Sequence, residues 1–395
     1  DGRRIAFTAA QIGKRHTAPS QLAVVEPGEP WQVLSADWDH SVNAPLKWSA
    51  DGESLCFTAE DRARCHLWRF VLATRRPAVA VRGGWVQGFD LAGGLIVTAT
   101  DAMDHPVRIA AHRDAAAPQR LERFNDELLA ALRFGEVQDL TLTGAQGEPV
   151  QAWVVMPPGF DRKKKYPLLH SIHGGPHAAS GDTFHYRWNN MVFAAQGYVV
   201  VCVNYHGSSG FGHAFLDSIT HRWGELELQD VEAATDWLLK QPFIDRKRVH
   251  AAGGSYGGYM VAWMNGHVAP GRYNAYVCHA GCFDWTAIHA GDACTWLARE
   301  LGAWYWDDPA KVNAQSPHTF AAAMQTPTLV MHGALDYRVP DQQGLAYYNT
   351  LKARGVDARL VWFPDENHWI LKPRNSRLWY RELFDWLKRH DKAKR

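Results

Sequence analysis

Hydrophobic and polar residues follow different patterns in the two parts of the chain. Up to about residue 130, short runs of alternating apolar residues follow turn dipeptides, as at 5–9 after Asp1-Gly2 and at 55–59 after Asp51-Gly52. An Asp-Gly turn beside such a run is typical of a β-hairpin. The pattern recurs after about 50 residues, which is the length of one four-stranded propeller blade. We therefore expect residues 1–130 to be the C-terminal blades of a β-propeller, with a small β-sandwich as the alternative.

The number of blades that fit into this stretch is small. About three blades fit into residues 1–130, whereas a closed propeller needs at least four. The chain also begins without Met, inside a strand pattern. We therefore expect further blades before Asp1 and interpret the chain as a fragment or a processed product, which leaves its compartment open.

From Phe134 onward, short buried strands alternate with amphipathic helices, a pattern typical of an α/β domain. Strands are predicted at 137–142, 150–156, 166–172, 198–203, 249–252, 276–279, 328–332 and 359–363. Helices are predicted at 226–240, 341–354 and 377–389, and a further helix at 125–132 links the two parts. Residues 131–395 are therefore expected to form one domain around a doubly wound, mostly parallel sheet.

Composition and charge exclude several classes of partner. The net charge of +1 gives no reason to expect nucleic acid or an anionic membrane surface as a partner. No apolar run approaches the roughly 20 residues that span a bilayer. The six cysteines lack the Cys-x-x-Cys spacing of metal sites, but Cys56 with Cys65 and Cys282 with Cys294 are two candidate disulfides.

A candidate nucleophile lies between a predicted strand and a predicted helix. Ser255 has a glycine two residues before it, Gly253, and another two residues after it, Gly257. A serine on such a strand-to-helix turn is typical of a nucleophile elbow, where small neighbours relieve crowding of the backbone. The helix N-terminus also favours negative charge near the serine oxygen. Ser255 is therefore the predicted nucleophile.

The acid and the base expected for such a serine follow in the chain order of α/β-hydrolases. Asp336 comes just after the strand predicted at 328–332, and His368 comes in the loop after the strand at 359–363. We expect His368 to take the serine proton and Asp336 to orient its ring. The rival acids Asp365 and Glu366 are too near His368 in sequence and are interpreted as loop groups. Asp341 is expected to cap the helix that follows it.

Acyl transfer also requires hydrogen-bond donors for an oxyanion. One donor is expected to be the backbone N–H of Tyr256, and the other to come from His173-Gly174-Gly175, which follows a predicted strand. The glycines would let the backbone approach a reacting carbonyl group closely. A metal cluster of His170, His173 and His177 is the less favoured interpretation, because no carboxylate accompanies them. No metal and no cofactor are expected.

Five motifs follow one another along the chain: His173-Gly174-Gly175-Pro176, Asn204-Tyr205-His206-Gly207-Ser208-Ser209-Gly210-Phe211-Gly212, and the segments 253–260, 332–340 and 364–369. Together they resemble the motifs of the prolyl oligopeptidase family of serine peptidases, in which a β-propeller precedes an α/β-hydrolase domain. The segment 364–369 is most similar to the dipeptidyl-peptidase V and acylaminoacyl-peptidase branch. The family often has Arg at the position of His206, which puts a role of His206 in anchoring its loop in doubt.

The resemblance also implies how a peptide is bound. Arg338 would hold a main-chain carbonyl group of the substrate, while Tyr256, Val339, Phe283 and Trp285 would line the pocket before the scissile bond. The pattern alone leaves open that Phe283 and Trp285 are core aromatics. Acidic side chains from the propeller would bind a free substrate amine, but the sequence does not identify them.

Four functions are consistent with these features. The first is a serine exopeptidase that releases dipeptides from peptide N-termini through an acyl-enzyme. The second is an acylaminoacyl-peptidase, which removes blocked residues, and the third is a carboxylesterase on the same scaffold. The fourth is a non-catalytic propeller binding protein, which the complete triad disfavours. The expected partner is a peptide substrate, and homo-oligomerisation stays open.

Overall fold

The computed structural model describes residues 2–10, 17–113 and 117–391, without the side chains of residues 294 and 295. The described chain forms two units, of which one contains the residues up to Arg133 together with 181–186 and 208–217. The other unit contains residues 134–180, 187–207 and 218 onward. None of the helices within the described ranges combines the length and the hydropathy that crossing a bilayer requires.

The first unit is built of antiparallel β-strands. In chain order they are β1 (Ile5–Ala9), β2 (Gln21–Val25), β3 (Gln32–Val33), β4 (Asn43–Trp48), β5 (Ser54–Asp61), β6 (Arg64–Val71), β7 (Arg76–Val81), β8 (Trp85–Ala92), β9 (Leu95–Ala102), β10 (His105–Arg113) and β11 (Gln119–Arg120). Helices α1 (Asp126–Ala130) and α3 (His213–Asp217) belong to the same unit.

The strand order in this unit is that of successive propeller blades. Strands β4 to β7 pair in order as one antiparallel meander, and β8 to β11 pair in order as the next. Strands β1 to β3 form a separate three-stranded sheet. Each four-stranded meander has the strand number of one blade, as the hairpin pattern predicts. The partial propeller is therefore confirmed over the β-sandwich alternative.

The pairing of β5 with β6 tests the first candidate disulfide. Cys56 lies opposite Arg69, whereas Cys65 lies opposite Glu60, so the two cysteines occupy different register positions. Both are buried free thiols. The prediction of a Cys56–Cys65 disulfide is therefore wrong, because the hairpin turn sets a register that the spacing of the two cysteines does not show. The Cys282–Cys294 pair involves a side chain outside the described residues, although Cys282 itself is a free buried thiol.

The second unit is an α/β domain that contains the eight predicted strands, together with helices that the sequence did not predict at 190–195, 294–301 and 309–314. Its strands are β12 (Val137–Thr143), β13 (Pro149–Val155), β14 (Tyr166–Ile172), β15 (Val199–Asn204), β16 (Ile244–Gly254), β17 (Ala275–His279), β18 (Thr328–Gly333) and β19 (Ala358–Phe363). Its helices are α2 (Asn190–Ala195), α4 (Glu225–Leu239), α5 (Tyr256–His267), α6 (Cys294–Leu301), α7 (Pro309–Ala314), α8 (Gln342–Ala353) and α9 (Pro373–His390). Short 3-10 helices cover Ala145–Gly147, Ala287–Ala290 and Pro317–Ala323.

These strands form one sheet in the order β12-β13-β15-β14-β16-β17-β18-β19. The pairs β12–β13 and β13–β15 are antiparallel, and the remaining pairs are parallel. Strands β15, β17 and β18 are buried along their whole length, as expected for parallel strands covered on both faces. Helix α5 packs on β16 and β17, and α9 packs on β17 and β18. The predicted mostly parallel sheet is confirmed.

His206 anchors its loop, although the family resemblance left this role in doubt. The Asp230 carboxylate in α4 accepts the backbone N–H of His206 and lies 2.7 Å from its ring Nδ1. The other Asp230 oxygen accepts the N–H of Ala145, 2.7 Å away. A buried histidine with a carboxylate partner thus takes the place of the arginine that is common in the family.

His206 should make the stability of this domain depend on pH. Burial lowers the pKa of His206, but its contacts with Asp230 and Glu148 outweigh burial and raise the pKa above 6.5. A raised pKa in the folded state stabilises the protein below about pH 6.5, and this contribution disappears as pH rises through the folded-state value. We expect the H206Q variant to melt at lower temperature than the wild type, with a deficit that shrinks between pH 6 and pH 9. Thermal melts of both proteins across this pH range measure the difference in melting temperature. A difference that does not change with pH would contradict the raised pKa of His206.

Candidate active site

Ser255 occupies a strained turn between β16 and α5. Its φ of 59° and ψ of −120° lie in a region that non-glycine residues rarely adopt. Two hydrogen bonds hold it there, from the Ser255 N–H to the carbonyl oxygen of His279 and from the Tyr259 N–H to the carbonyl oxygen of Ser255, each 2.9 Å long. Such strain persists only where the surroundings fix the backbone. The turn therefore presents the partly exposed Ser255 side chain in one orientation.

Gly257 explains why the first turn of α5 lies so close to the sheet. A Cβ at this position would lie 2.2 Å from the carbonyl oxygen of Ile172 and 3.0 Å from that of His173. The first distance is shorter than real Cβ contacts, and the atom it meets belongs to the backbone, so no other residue fits without a shift of backbone. The glycine two residues after Ser255 therefore lets α5 pack directly against the end of β14.

His368 and Asp336 come together beyond the ends of β19 and β18. The distance between His368 Nδ1 and Asp336 Oδ2 is 2.6 Å, and Asp336 is 3% exposed. The other Asp336 oxygen accepts the N–H groups of Arg338 and Val339, at 3.0 and 2.8 Å. Burial alone would raise the pKa of Asp336, but hydrogen bonds from His332, His368 and the Val339 N–H hold it well below its usual range. Asp336 is therefore an ionised acceptor that fixes the ring of His368 through Nδ1.

His332 is a second partner of Asp336 that the sequence analysis missed. Its Nε2 lies 2.8 Å from the carbonyl oxygen of Val339 and 3.4 Å from Asp336 Oδ2. The residue is completely buried in β18. A histidine inside an otherwise apolar strand, four residues before the predicted acid, was the signal that could have indicated it.

The His173-Gly174-Gly175 loop lies against Ser255. A Cβ on Gly174 would be 3.1 Å from Ser255 Cβ and 3.7 Å from Ser255 Oγ, so the Gly174 backbone approaches the serine closely. The ring of His173 stacks on Tyr205 with centroids 4.2 Å apart, and the Tyr205 hydroxyl donates to the carbonyl oxygen of His173. Burial lowers the pKa of His173 to about 4, which keeps the ring neutral. Tyr256 is the first residue of α5, where backbone N–H groups have no acceptor within the helix.

Glu227 supports the ring of Tyr256 and was not foreseen from the sequence. The Tyr256 hydroxyl donates to the Glu227 carboxylate, which also accepts the N–H of Gly224 at 3.1 Å. Glu227 is completely buried, and this burial raises its pKa to about 7. A carboxylate on the first turn of α4 thereby holds the side chain of the residue that follows Ser255.

The three histidines considered as a metal cluster each have their own partner. His170 Nε2 lies 2.8 Å from the Thr235 hydroxyl, and His177 Nε2 lies 3.0 Å from the Glu300 carboxylate. His173 is engaged by Tyr205, as described above. Over residues 2–10, 17–113 and 117–391, no group of three or more His, Cys, Asp or Glu side chains is arranged to hold a metal ion.

The residues proposed for substrate binding lie in two different surroundings. Arg338 is about half exposed, and its Nε donates to Asp292 over 2.6 Å. Phe283 and Trp285 are 3% and 2% exposed, Phe283 stacks on Tyr347, and the Trp285 indole donates to the carbonyl oxygen of Gln315. Both aromatic side chains thus have partners in the core. That these two residues and the buried Val339 line a substrate pocket stays a prediction.

The rival acids have other partners. Glu366 is buried and accepts the N–H groups of Leu371 and Lys372, each 2.9 Å away, so it shapes the loop that carries His368. Asp365 binds Lys372 Nζ at 2.5 Å. Asp341 makes no side-chain capping bond to α8 and accepts the indole N–H of Trp362 instead, so the predicted cap is wrong. The prediction failed because Asp341 makes a tertiary contact with a residue 21 positions away in sequence, which the local pattern does not show.

The sheet order, the strained serine turn and the order of Ser255, Asp336 and His368 define an α/β-hydrolase fold. The model of the prolyl oligopeptidase family matches residues 184–394, just over half of the chain. The chain therefore belongs to the prolyl oligopeptidase family, which confirms the resemblance seen in its motifs.

Curated relatives extend the similarity to nearly the whole chain. A probable dipeptidyl-peptidase 5 of Aspergillus clavatus is 33% identical over 398 residues, which cover 98% of this chain and 53% of the relative. The dipeptidyl-peptidase 5 of Trichophyton equinum is 32% identical over 406 residues, 98% of this chain and 55% of the relative. The chain thus spans about half the length of these relatives.

Solved structures confirm the fold. The acylaminoacyl peptidase of Pyrococcus horikoshii matches with a TM-score of 0.89 and 23% identity, over 100% of this chain and 63% of its own. The dipeptidyl peptidase 4 of Porphyromonas gingivalis matches with a TM-score of 0.82 and 20% identity, over 98% of this chain and 54% of its own. At these identities, both matches show that the fold is shared.

The close approach of Gly174 to Ser255 should make that glycine necessary for the reactivity of the serine. In the G174A variant, the added Cβ would lie 2.9 Å from the carbonyl oxygen of Gly254 and displace the loop. Displacing an oxyanion donor costs roughly 10²-fold or more in rate. We therefore expect Ser255 to react at least about tenfold more slowly with a fluorophosphonate probe. The control is G88A, where an added Cβ meets nothing within 4 Å; equal rates in both variants would contradict the role of the loop.

Proposed function

We propose that this chain carries the catalytic domain of a serine peptidase that releases dipeptides from the N-termini of peptides through an acyl-enzyme. The observation that carries the proposal is the buried Asp336–His368 pair, with 2.6 Å between Oδ2 and Nδ1, together with the strained turn that presents Ser255. Membership of the prolyl oligopeptidase family supports a peptidase, and relatives named dipeptidyl-peptidase 5 support dipeptide release.

The proposed reaction begins when Ser255 Oγ attacks the carbonyl carbon of the scissile peptide bond. His368 Nε2 takes the serine proton as the carbon–oxygen bond forms, and Asp336 stabilises the resulting imidazolium through Nδ1. The protonated ring then gives its proton to the leaving amine, which breaks the carbon–nitrogen bond. Water enters, His368 takes its proton in turn, and hydrolysis of the ester releases the dipeptide and restores Ser255.

The tetrahedral oxyanion requires donors that are in place before the reaction. We assign this role to the Tyr256 N–H and to the backbone of the His173-Gly174-Gly175 loop. The backbone approach of Gly174 to Ser255 and the N-terminal position of Tyr256 in α5 support this assignment. Neutral dipoles fixed by buried partners stabilise charge without reorganising during the reaction.

Four side chains are proposed to bind the peptide substrate. Arg338 would bind a main-chain carbonyl oxygen of the peptide, and Phe283, Trp285 and Val339 would contribute to the pocket for the residue before the scissile bond. Because a guanidinium group has five N–H donors, pairing of its Nε with Asp292 leaves others for a carbonyl oxygen. We further propose that residues 1–130 are the C-terminal blades of a propeller and that residues 131–395 form the catalytic domain.

An acylaminoacyl-peptidase is the second candidate function. The observation that favours it is the match to the acylaminoacyl peptidase of Pyrococcus horikoshii over the whole of this chain. The two activities differ in whether the N-terminal amine of the substrate is free or acylated.

Paired substrates should separate these functions. We expect a dipeptide linked to a chromogenic amine to be hydrolysed at least about tenfold faster with a free N-terminus than with an acetylated one, because one lost charge-assisted contact is worth about 1.5–3 kcal/mol. Measured kcat/KM values for both substrates test this, with S255A as the inactive control. Faster turnover of the acetylated substrate would favour an acylaminoacyl-peptidase, and turnover of esters alone would favour a carboxylesterase.

The identity of the orienting acid can be tested against its neighbour. In D336N, the amide would donate to His368 Nδ1 and leave the proton on Nε2, which then cannot accept the serine proton; this costs about 10³–10⁴-fold in kcat. The control is D365N, which removes a half-exposed carboxylate that pairs with Lys372 in the same loop. Steady-state kinetics should show nearly normal activity for D365N. Comparable losses in the two variants would contradict the assignment of Asp336.

A further inference from the structure

One histidine outside the predicted triad contacts the backbone of both the nucleophile and the base. His279 ends β17, where it pairs with Gly254 on β16 and with Met331 on β18. Its carbonyl oxygen accepts the N–H of Ser255 over 2.9 Å. Its ring Nε2 lies 3.1 Å from the carbonyl oxygen of His368. A single residue in the middle of the sheet thus touches the two segments that must meet during catalysis.

The partners of the His279 ring determine which nitrogen carries the proton. The indole Nε1 of Trp379, on α9, lies 3.2 Å from His279 Nδ1. An indole N–H can only donate, so Nδ1 must be the acceptor and Nε2 must carry the hydrogen. Nε2–H therefore donates to the carbonyl oxygen of His368. Burial, with a smaller effect of the neighbouring His368, lowers the pKa of His279 to about 3, so the ring stays neutral.

The surroundings of His279 hold its ring in one position. The residue is 3% exposed, and the rings of Trp188 and Trp379 meet it edge-on with centroids 6.0 and 5.9 Å away. A Cβ on Gly254 would lie 3.2 Å from its Cδ2, so the strand that leads to the nucleophile also packs against it. Close packing on several sides lets the ring act as a fixed hydrogen-bond donor.

We propose that His279 is a positioning residue for the hydrolytic reaction, acting through a hydrogen bond from its Nε2 to the main chain of His368. Asp336 fixes the ring of His368 and His279 fixes its backbone, so the two together determine where His368 Nε2 lies. The His279 carbonyl oxygen also accepts the N–H of Ser255. The backbones of the base and of the nucleophile are therefore both hydrogen-bonded to the same residue. The inference rests on the proposed function, since it assigns His368 as the base.

Two substitutions separate the two hydrogen bonds of the His279 ring. A glutamine amide nitrogen reaches the position of Nε2, so H279Q can still donate to His368. An asparagine amide reaches only the position of Nδ1, so H279N can accept from Trp379 but cannot donate to His368. Because small misplacements of catalytic groups cost about 100-fold, we expect H279N to lower kcat by about that factor with KM within about threefold. H279Q should stay within about tenfold of the wild-type kcat.

The rate at which a fluorophosphonate labels Ser255 provides a readout without substrate binding, and it should fall in H279N in parallel with kcat. Thermal melts of both variants report stability, which is expected to fall in both because each loses one buried hydrogen bond. Equal losses of kcat and labelling in H279N and H279Q, or no loss in folded H279N, would overturn the inference.

Trp379→Phe provides a control that keeps His279 itself. Loss of the indole donor leaves Nδ1 without that partner, but the carbonyl oxygen of His368 accepts only from a protonated Nε2, so the ring keeps the tautomer that donates to His368. We expect Trp379→Phe to lower kcat and the labelling rate less than H279N does, and a loss in the folded variant as large as that of H279N would contradict the proposal. Failure of the proposed function is distinguishable, because the wild-type protein itself would then resist labelling at Ser255.

Discussion

The buried carboxylate of Asp336 can remain ionised only because hydrogen-bond donors surround both of its oxygens. One oxygen faces two backbone N–H groups of the following turn, and the other faces the rings of His332 and His368. Removing one partner of a buried charge leaves that charge uncompensated, at a cost of about 3–5 kcal/mol. The turn after β18, the buried histidine of that strand and the loop after β19 are therefore arranged around one negative charge. The position of His368 follows from this arrangement.

The parallel sheet supplies the second constraint. The carboxyl ends of β16, β17 and β18 lie side by side. Strand β16 leads into Ser255, β17 ends at His279, and β18 leads into the turn of Asp336. Strand β19 adds the loop of His368 at the same edge. Functional groups in open α/β sheets gather at this edge because all strand ends meet there. Residues far apart in sequence thus become neighbours without any long-range pattern between them.

Much of the fold and of the candidate triad could be predicted because the informative patterns are local. Fully buried parallel strands appear as short apolar runs, and the serine turn carries its glycines within a few residues. Other features depend on partners that no local pattern shows. Asp341 was expected to cap its helix, but its carboxylate accepts the indole N–H of Trp362 instead. Cys56 and Cys65 were a candidate disulfide, but the register of β5 and β6 places them at different positions along the pair. The roles of His279 and Glu227 could not be assigned from the sequence either. Each role depends on a tertiary contact, of His279 with Trp379 and of Glu227 with Tyr256.

The hydrogen bonds of His279 also bear on when the site forms. They join residues 89 and 100 positions apart, and the second requires a side chain from the last helix, α9. Contacts between such distant residues form late in folding, because the chain must first close a long loop against its own entropy. During synthesis, Ser255 therefore emerges well before the helix that completes its surroundings. The candidate site therefore lacks the hydrogen bond between Trp379 and His279 until α9 has been synthesised and has packed on the sheet.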